Sequence, residues 1–269
     1  MLRQDLHALI SLLASKLELR DLALTTNGVL LSSQAQALRS AGLSRVTVSL
    51  DTLRPERFVK LTRLDSHRAV LAGIDAAIEA GFDNIKLDTV VIRGVNNDEL
   101  SDLIDYGRER HLEVRFIEYM DVGGATQWSN EAVVSRREML STLSEKYGPI
   151  TPVKEINSAP ADRFTLPDGT IFGIISSTTQ PFCRSCDRSR LTADGIWYLC
   201  LYAHSGTALR NSLREGASIG DLQDQITSVW KERADRGAEM RLAEGQREPL
   251  IPVRRLREEP HLEMHTRGG

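Results

Sequence analysis

Every thiol of this chain lies in one stretch, FCRSCDRSRLTADGIWYLC, which carries Cys183, Cys186 and Cys200. The spacing is C-x2-C-x13-C, with the third cysteine on the far arm of a hairpin expected to turn at Asp194-Gly195. That folding brings three thiolates toward one point, as a metal site requires. Two fillings suit the spacing. His204, four residues after Cys200, completes a closed Cys3His zinc tetrahedron. Alternatively, the three thiolates hold a [4Fe–4S] cluster and leave one iron open to a substrate. A third reading is three ordinary buried cysteines, and spacing alone does not choose among them.

Arginines are interleaved with the cysteines: Arg184, Arg188 and Arg190. In DRSR, Arg188 and Arg190 alternate, so on an extended segment they share a face. Two guanidiniums beside a metal suit a polyphosphate or carboxylate ligand, since each holds two oxygens. A plain basic edge is the alternative.

The elements that must position these groups change character along the chain. The first half alternates strand and helix: DLALTTNG, a helix closed by Gly42, RVTVSLD, a helix closed by Gly81, NIKLDTVVIRG, a helix capped by Asn97 or Asp98, then EVRFIEYMD. Such alternation predicts βα units and a parallel sheet. Thr25, Thr26, Asn27, Ser49, Asp51, Glu118 and Met120 then fall at the carboxyl ends of the strands, where α/β barrels keep their active sites. Beyond about residue 125 come a helix in SRREMLSTLSEKYG, a hairpin turning at Pro167-Asp168-Gly169, the cysteine segment, helices over about 206–215 and 218–235, and a polar, extended tail.

Composition narrows the function classes. The chain is 41% hydrophobic and 26% charged, with a net charge of -3, which supports a folded core and argues against a general nucleic-acid or membrane-surface binder. There is no membrane-spanning apolar run and no secretory pattern at the start. The reading is a cytoplasmic protein, in which clustered cysteines bind metal rather than form disulfides.

TTNG, VSLD, RFIEYMDVG, FCRSCDRSRLTADGIWYLCL and a terminal GG stand here in an order and spacing that resemble the GTP 3′,8-cyclase family, molybdenum cofactor biosynthesis protein A of the radical S-adenosylmethionine superfamily. The resemblance implies an α/β fold, an incomplete parallel (β/α) barrel with a C-terminal iron–sulfur extension, divided at 1–125 and 126–269. It implies that Cys183, Cys186 and Cys200 hold a [4Fe–4S] cluster whose open iron helps to bind GTP, leaving His204 a bystander. Thr25, Lys86, Arg188, Ser189 and Arg190 match GTP-contacting positions. Ser49 and Met120 match positions that hold S-adenosylmethionine, with Arg115 as a further candidate. Gly268 and Gly269 match a pair that enters the active site, where a residue without a side chain lets the backbone approach closely. The implied partners are GTP, S-adenosylmethionine, a reductant, a downstream cyclic pyranopterin monophosphate synthase and a second copy in a homodimer.

The family's C-x3-C-x2-C motif, which binds a first cluster, is not among these residues. Met1 aligns just past a GGEP segment, so the chain reads as a member without its first quarter and first two strands. On that reading the chain as written lacks radical chemistry, and DLALTTN becomes an exposed sheet edge. Two alternatives stand beside it: a non-catalytic GTP- or metal-binding paralogue, and a structural Cys3His zinc protein.

Overall fold

A computed structural model describes residues 1–122, 127–155, 157–244 and 247–259. Gly268 and Gly269 lie outside the described residues. The chain forms two compact units.

The first unit comprises 1–118, 136–154 and 161–175. Its elements are α1 (Leu6–Ala14), β1 (Ala23–Thr26), α2 (Ala35–Ser40), β2 (Arg45–Ser49), α3 (Pro55–Thr62), α4 (His67–Glu79), β3 (Lys86–Val91), α5 (Leu100–Glu109), β4 (Glu113–Glu118), α6 (Arg136–Tyr147), β5 (Thr151–Pro152), β6 (Asp162–Thr165) and β7 (Ile171–Ile175). The strands make one open sheet in the order β1-β2-β3-β4-β7-β6-β5. Neighbours from β1 to β4, and β4 with β7, pair in parallel, whereas β6 and β5 continue antiparallel. The hairpin at 162–175 therefore joins the same sheet as the first four strands, although the sequence sets it beyond residue 125. Among the described residues, β1 is an edge strand and pairs with β2 alone.

Alternation in β3 and β4 gives the sheet two different faces. Leu87, Thr89 and Val91 with Val114, Phe116 and Glu118 are buried on one side. Lys86, Asp88, Glu113 and Arg115 lie on the other, half-buried. The apolar side continues through Val46, Val48, Phe172 and Ile174.

The second unit comprises 119–135, 155–160 and 176–269. It contains a 3-10 turn over Cys183–Ser185, a small antiparallel sheet of β8 (Arg190–Leu191), β9 (Ile196–Tyr198) and β10 (Thr207–Ala208), and helices α7 (Leu209–Arg214), α8 (Ile219–Lys231), α9 (Gly237–Ala243) and α10 (Val253–Glu258).

Both expected hairpin turns are present, with Gly169 and Gly195 in the left-handed region at φ 88 and 80°. Three expectations are corrected. The helix cap before α5 is Glu99, without a side-chain capping bond. Asn97 instead accepts from the Gly94 amide at 2.7 Å, and Asp98 is held by Arg54 and Arg57. The segment expected to be helical from 206 opens with strand β10 and turns helical only at Leu209. The tail is not wholly extended: α10 forms and buries Leu256 against Ile251 and Leu250.

Candidate functional site

In the first unit, strand register brings four of the singled-out residues to one face. Thr25 stands beside Thr47, and Thr47 beside Lys86, which pairs in turn with Glu113. One step further along, Ser49, Asp88, Arg115 and Gly173 form a second row. Side chains in register on neighbouring strands project to the same side, so Thr25, Ser49, Lys86 and Arg115 are neighbours on the polar face. Gly173 makes room for this row, because a Cβ there would stand 3.2 Å from Arg115 Cγ.

Glu113 organises the cations. Its Oε1 accepts from Arg115 Nε at 2.8 Å and its Oε2 lies 3.1 Å from Arg163 Nη2. Burial, with Arg115 close by, lowers the pKa of Lys86, while Glu113 opposes the shift. Asp88 Oδ1 is buried without a hydrogen-bond partner. Burial pushes its carboxyl up to about 6, against the pull of Arg115 and Lys86. Asp51, just past the end of β2, is also raised by burial to about 6, although its Oδ1 accepts from the Val90 amide at 2.8 Å. This face offers an ammonium, guanidiniums, hydroxyls and carboxylates within one row or the next, which suits a ligand bearing both phosphates and sugar hydroxyls.

In the second unit, the cysteine segment is built from the 3-10 turn, β8 and β9. Cys183, Cys186 and Cys200 are free thiols, all half-buried. Arg188 and Arg190 are half-buried with Ser189 exposed between them, as alternation requires. Nε of Arg188 and Nε of Arg190 are buried and have no hydrogen-bond partner. Burial and the neighbouring Arg188 charge lower the pKa of Arg190, and the Cys200 and Cys186 thiols act in the opposite direction. Two buried cationic donors without acceptors call for an anion or a sulfur-rich group at this place.

Cys186 is the best-supported thiol. Arg188 Nη2 lies 3.7 Å and Arg233 Nη2 3.5 Å from its Sγ. Burial alone would raise its pKa, but the Arg188 amide and the Arg233 and Arg188 side chains outweigh burial and lower it. Cys200 is closely covered by α9: a Cβ on Gly237 would stand 2.4 Å from Tyr202 Cβ and 3.1 Å from Cys200 Sγ, so only glycine fits.

Three thiols on one segment are a donor set compatible with an iron–sulfur cluster. His204 is exposed, and among the described residues no group of three or more His, Cys, Asp or Glu is arranged to hold one metal ion. A zinc site draws its four ligands to a common point, whereas each cysteine of a [4Fe–4S] cluster binds a different iron. An all-thiol donor set is compatible with the latter.

Met120 follows β4 in the second unit, in a segment pinned through its neighbours. The Tyr119 carbonyl accepts from Trp128 Nε1 and Thr178 Oγ1, both at 3.0 Å. Asp121, fully buried, accepts from Arg241 Nε at 2.8 Å and from the Tyr202 hydroxyl at 3.2 Å. Burial, reinforced by Asp121, raises the Tyr202 pKa. Sequence reading missed Asp121, Tyr202, Arg241 and Arg233. The one available signal was the position of Asp121 directly after Met120 in YMD.

Comparison with known proteins gives first the class and then the family. Residues 1–107 match the Radical SAM superfamily, and residues 112–239 match Molybdenum Cofactor Synthesis C. An open, mainly parallel α/β sheet followed by a three-cysteine unit is thus a partial radical S-adenosylmethionine barrel with its C-terminal domain. Among relatives, GTP 3′,8-cyclase 3 of Mycobacterium bovis is 58% identical over 273 residues, spanning all of this chain and 72% of that protein. GTP 3′,8-cyclase 1 of Mycobacterium tuberculosis is 54% identical, covering 76% of that protein. The Aquifex aeolicus GTP 3′,8-cyclase is 38% identical over 270 residues, covering 78% of its length. The chain belongs to the GTP 3′,8-cyclase family.

Proposed function

We propose that this chain serves molybdenum cofactor biosynthesis by binding GTP for conversion to (8S)-3′,8-cyclo-7,8-dihydroguanosine 5′-triphosphate, as a lyase using S-adenosylmethionine. Family membership and the donor set of the second unit support the reading. When bound, a [4Fe–4S] cluster on the three cysteines would supply an iron with an open coordination position; the 5′-deoxyadenosyl radical of the full reaction would come from S-adenosylmethionine on one-electron reduction at a first cluster, whose C-x3-C-x2-C motif is not among these residues.

The chain's own residues bind and orient. Cys183, Cys186 and Cys200 hold the cluster. Arg188 and Arg190 direct their unpartnered Nε donors at GTP, with Ser189 contributing its hydroxyl or amide. By the family resemblance, Lys86 and Thr25 of the first unit are assigned to GTP, and Ser49, Arg115 and Met120 to S-adenosylmethionine. The reaction also calls for an external reductant, and its product passes to a cyclic pyranopterin monophosphate synthase in the cytoplasm. Among the described residues no helix is long and apolar enough to cross a membrane.

The observation that carries the reading is the pair of buried, orphaned Nε atoms on Arg188 and Arg190 beside the thiols. The test is GTP binding by calorimetry to chain reconstituted anaerobically with iron and sulfide. Binding that weakens in Arg188→Ala and Arg190→Ala supports the assignment. Equal affinity in both variants, or zinc in place of iron and sulfide on elemental analysis, would overturn it.

A further inference from the structure

Arg233 is absorbed by none of these roles, yet its side chain is tied to the cysteine segment at two points. It lies two residues beyond the end of α8. Its Nη1 donates to the Cys186 carbonyl at 2.9 Å and its Nη2 reaches Cys186 Sγ at 3.5 Å. The plane of the guanidinium covers the Trp230 ring at 4.8 Å, and Trp230 stacks on Trp197 with centroids 6.3 Å apart. Trp197 belongs to β9, the strand that leads to Cys200. A continuous stack therefore runs from the β9 arm through two indoles to the guanidinium that holds Cys186. Arg188 also reaches Cys186, but its Nε is buried and unpartnered. Arg233 by contrast turns its fork on Cys186 and its face on Trp230.

We infer that Arg233 is a positioning residue for the cluster: its fork fixes the Cys186 thiolate and, by donating to that sulfur, sets the cluster's reduction potential. The inference rests on the cluster reading above. Donors to a thiolate stabilise the more negative, reduced state, so they raise the potential. A guanidinium is suited to this, since it stays charged and spans the carbonyl and the sulfur of one residue with two nitrogens. Stacking on Trp230 removes the freedom that a long side chain would otherwise keep.

The test uses the whole chain, reconstituted anaerobically with iron and sulfide, and compares wild type with R233Q, R233K and, as control, R236Q, whose arginine is exposed and paired with Glu239. Iron and sulfide per chain are measured first, then the midpoint potential and the electron paramagnetic resonance spectrum of the reduced cluster. R233Q is expected to shift the reduced-to-oxidised ratio at fixed potential about tenfold toward oxidised, the scale of one lost charge-assisted hydrogen bond, which is about 59 mV more negative for a one-electron couple. R233K is expected to shift less in the same direction, because an ammonium keeps the charge but not the fork, and R236Q not at all.

A wild-type chain without iron and sulfide would refute the cluster reading itself. A wild type with the cluster, and R233Q with the same potential and spectrum, would overturn the role of Arg233 alone. If R233Q does not fold, R233K decides: an unchanged potential in R233K overturns the inference, and a negative shift upholds it.

Discussion

At the scale of single residues, the site is defined by groups whose hydrogen-bonding capacity is not met within the protein. Buried polar atoms are nearly always paired, and the Nε atoms of Arg188 and Arg190 and the Oδ1 of Asp88 are among the buried polar atoms without a protein partner. Arg188→Ala and Arg190→Ala should each weaken GTP binding about 10- to 100-fold, or about 1–3 kcal/mol, the range for losing a charged hydrogen-bond partner. Titration calorimetry of the reconstituted chain reads this directly, and no change in either variant would remove the substrate assignment. Cys200 offers a second residue-scale test. Cys200→Ser should lower bound iron and sulfide markedly, whereas His204→Ala should retain both. The reverse pattern would identify a Cys3His ion.

At the scale of elements, the polar row on β2, β3 and β4 gathers charge that the fold tolerates at a cost. Asp51 has a folded pKa of about 6 because burial disfavours its ionised form. Below about pH 4 the carboxyl is protonated in both folded and unfolded chains and costs nothing. As pH rises toward 6 the unfolded chain loses the proton first, so this group lowers stability increasingly, and in full above about pH 6. Asp51→Asn keeps an oxygen for the Val90 amide and removes the charge. It should stabilise the protein by about 2–3 kcal/mol at pH 8, and the gain should fade toward pH 4. Urea midpoints at the two pH values measure it, and a gain independent of pH would contradict burial as the cause. In the second unit, the start of α9 packs too closely on Tyr202 and Cys200 for any side chain at Gly237. Gly237→Ala should destabilise that unit by about 1–3 kcal/mol through overpacking, visible as a lower Tm with reduced iron retention. Unchanged values would mean that α9 shifts freely.

At the scale of the whole molecule, two long-range devices matter. Asp121 is fully buried between Arg241 and Tyr202, which are remote in sequence. Removing one partner strands a buried charge, so Arg241→Met should cost about 3–5 kcal/mol, read from denaturant unfolding. A loss under about 1 kcal/mol would show that water replaces the guanidinium. The second device is the summed field. Net charge is only -3, so on the proposed function attraction of a polyanionic nucleotide depends on local cations such as Arg188 and Arg190. Binding of GTP should weaken as salt rises from about 0.01 to about 0.15 M, where the Debye length shrinks from ~30 to ~8 Å. Affinity that does not respond to salt would argue against these cations as the anchor.

Patterns that depend on near neighbours were legible in the sequence. NIKLDTVVIRG and EVRFIEYMD marked β3 and β4, because strand preference of β-branched and apolar residues is a local property. Asp168-Gly169 and Asp194-Gly195 marked both hairpin turns, because only particular residues accept a positive φ. The cysteines and arginines of the 182–200 segment were likewise visible as types at fixed spacing. Tertiary structure decided what distance in sequence hides. It set the register that places Thr25, Ser49, Lys86 and Arg115 on one face, and it drew β6 and β7 into the main sheet. Packing of Leu256 on Ile251 made a helix of α10 from a segment whose charged residues read as extended tail. Arg233 and Cys186 are 47 residues apart, and Arg241 and Asp121 are 120 apart. No local propensity encodes such pairs, since they form only when the chain has already folded and burial makes an unpaired charge costly.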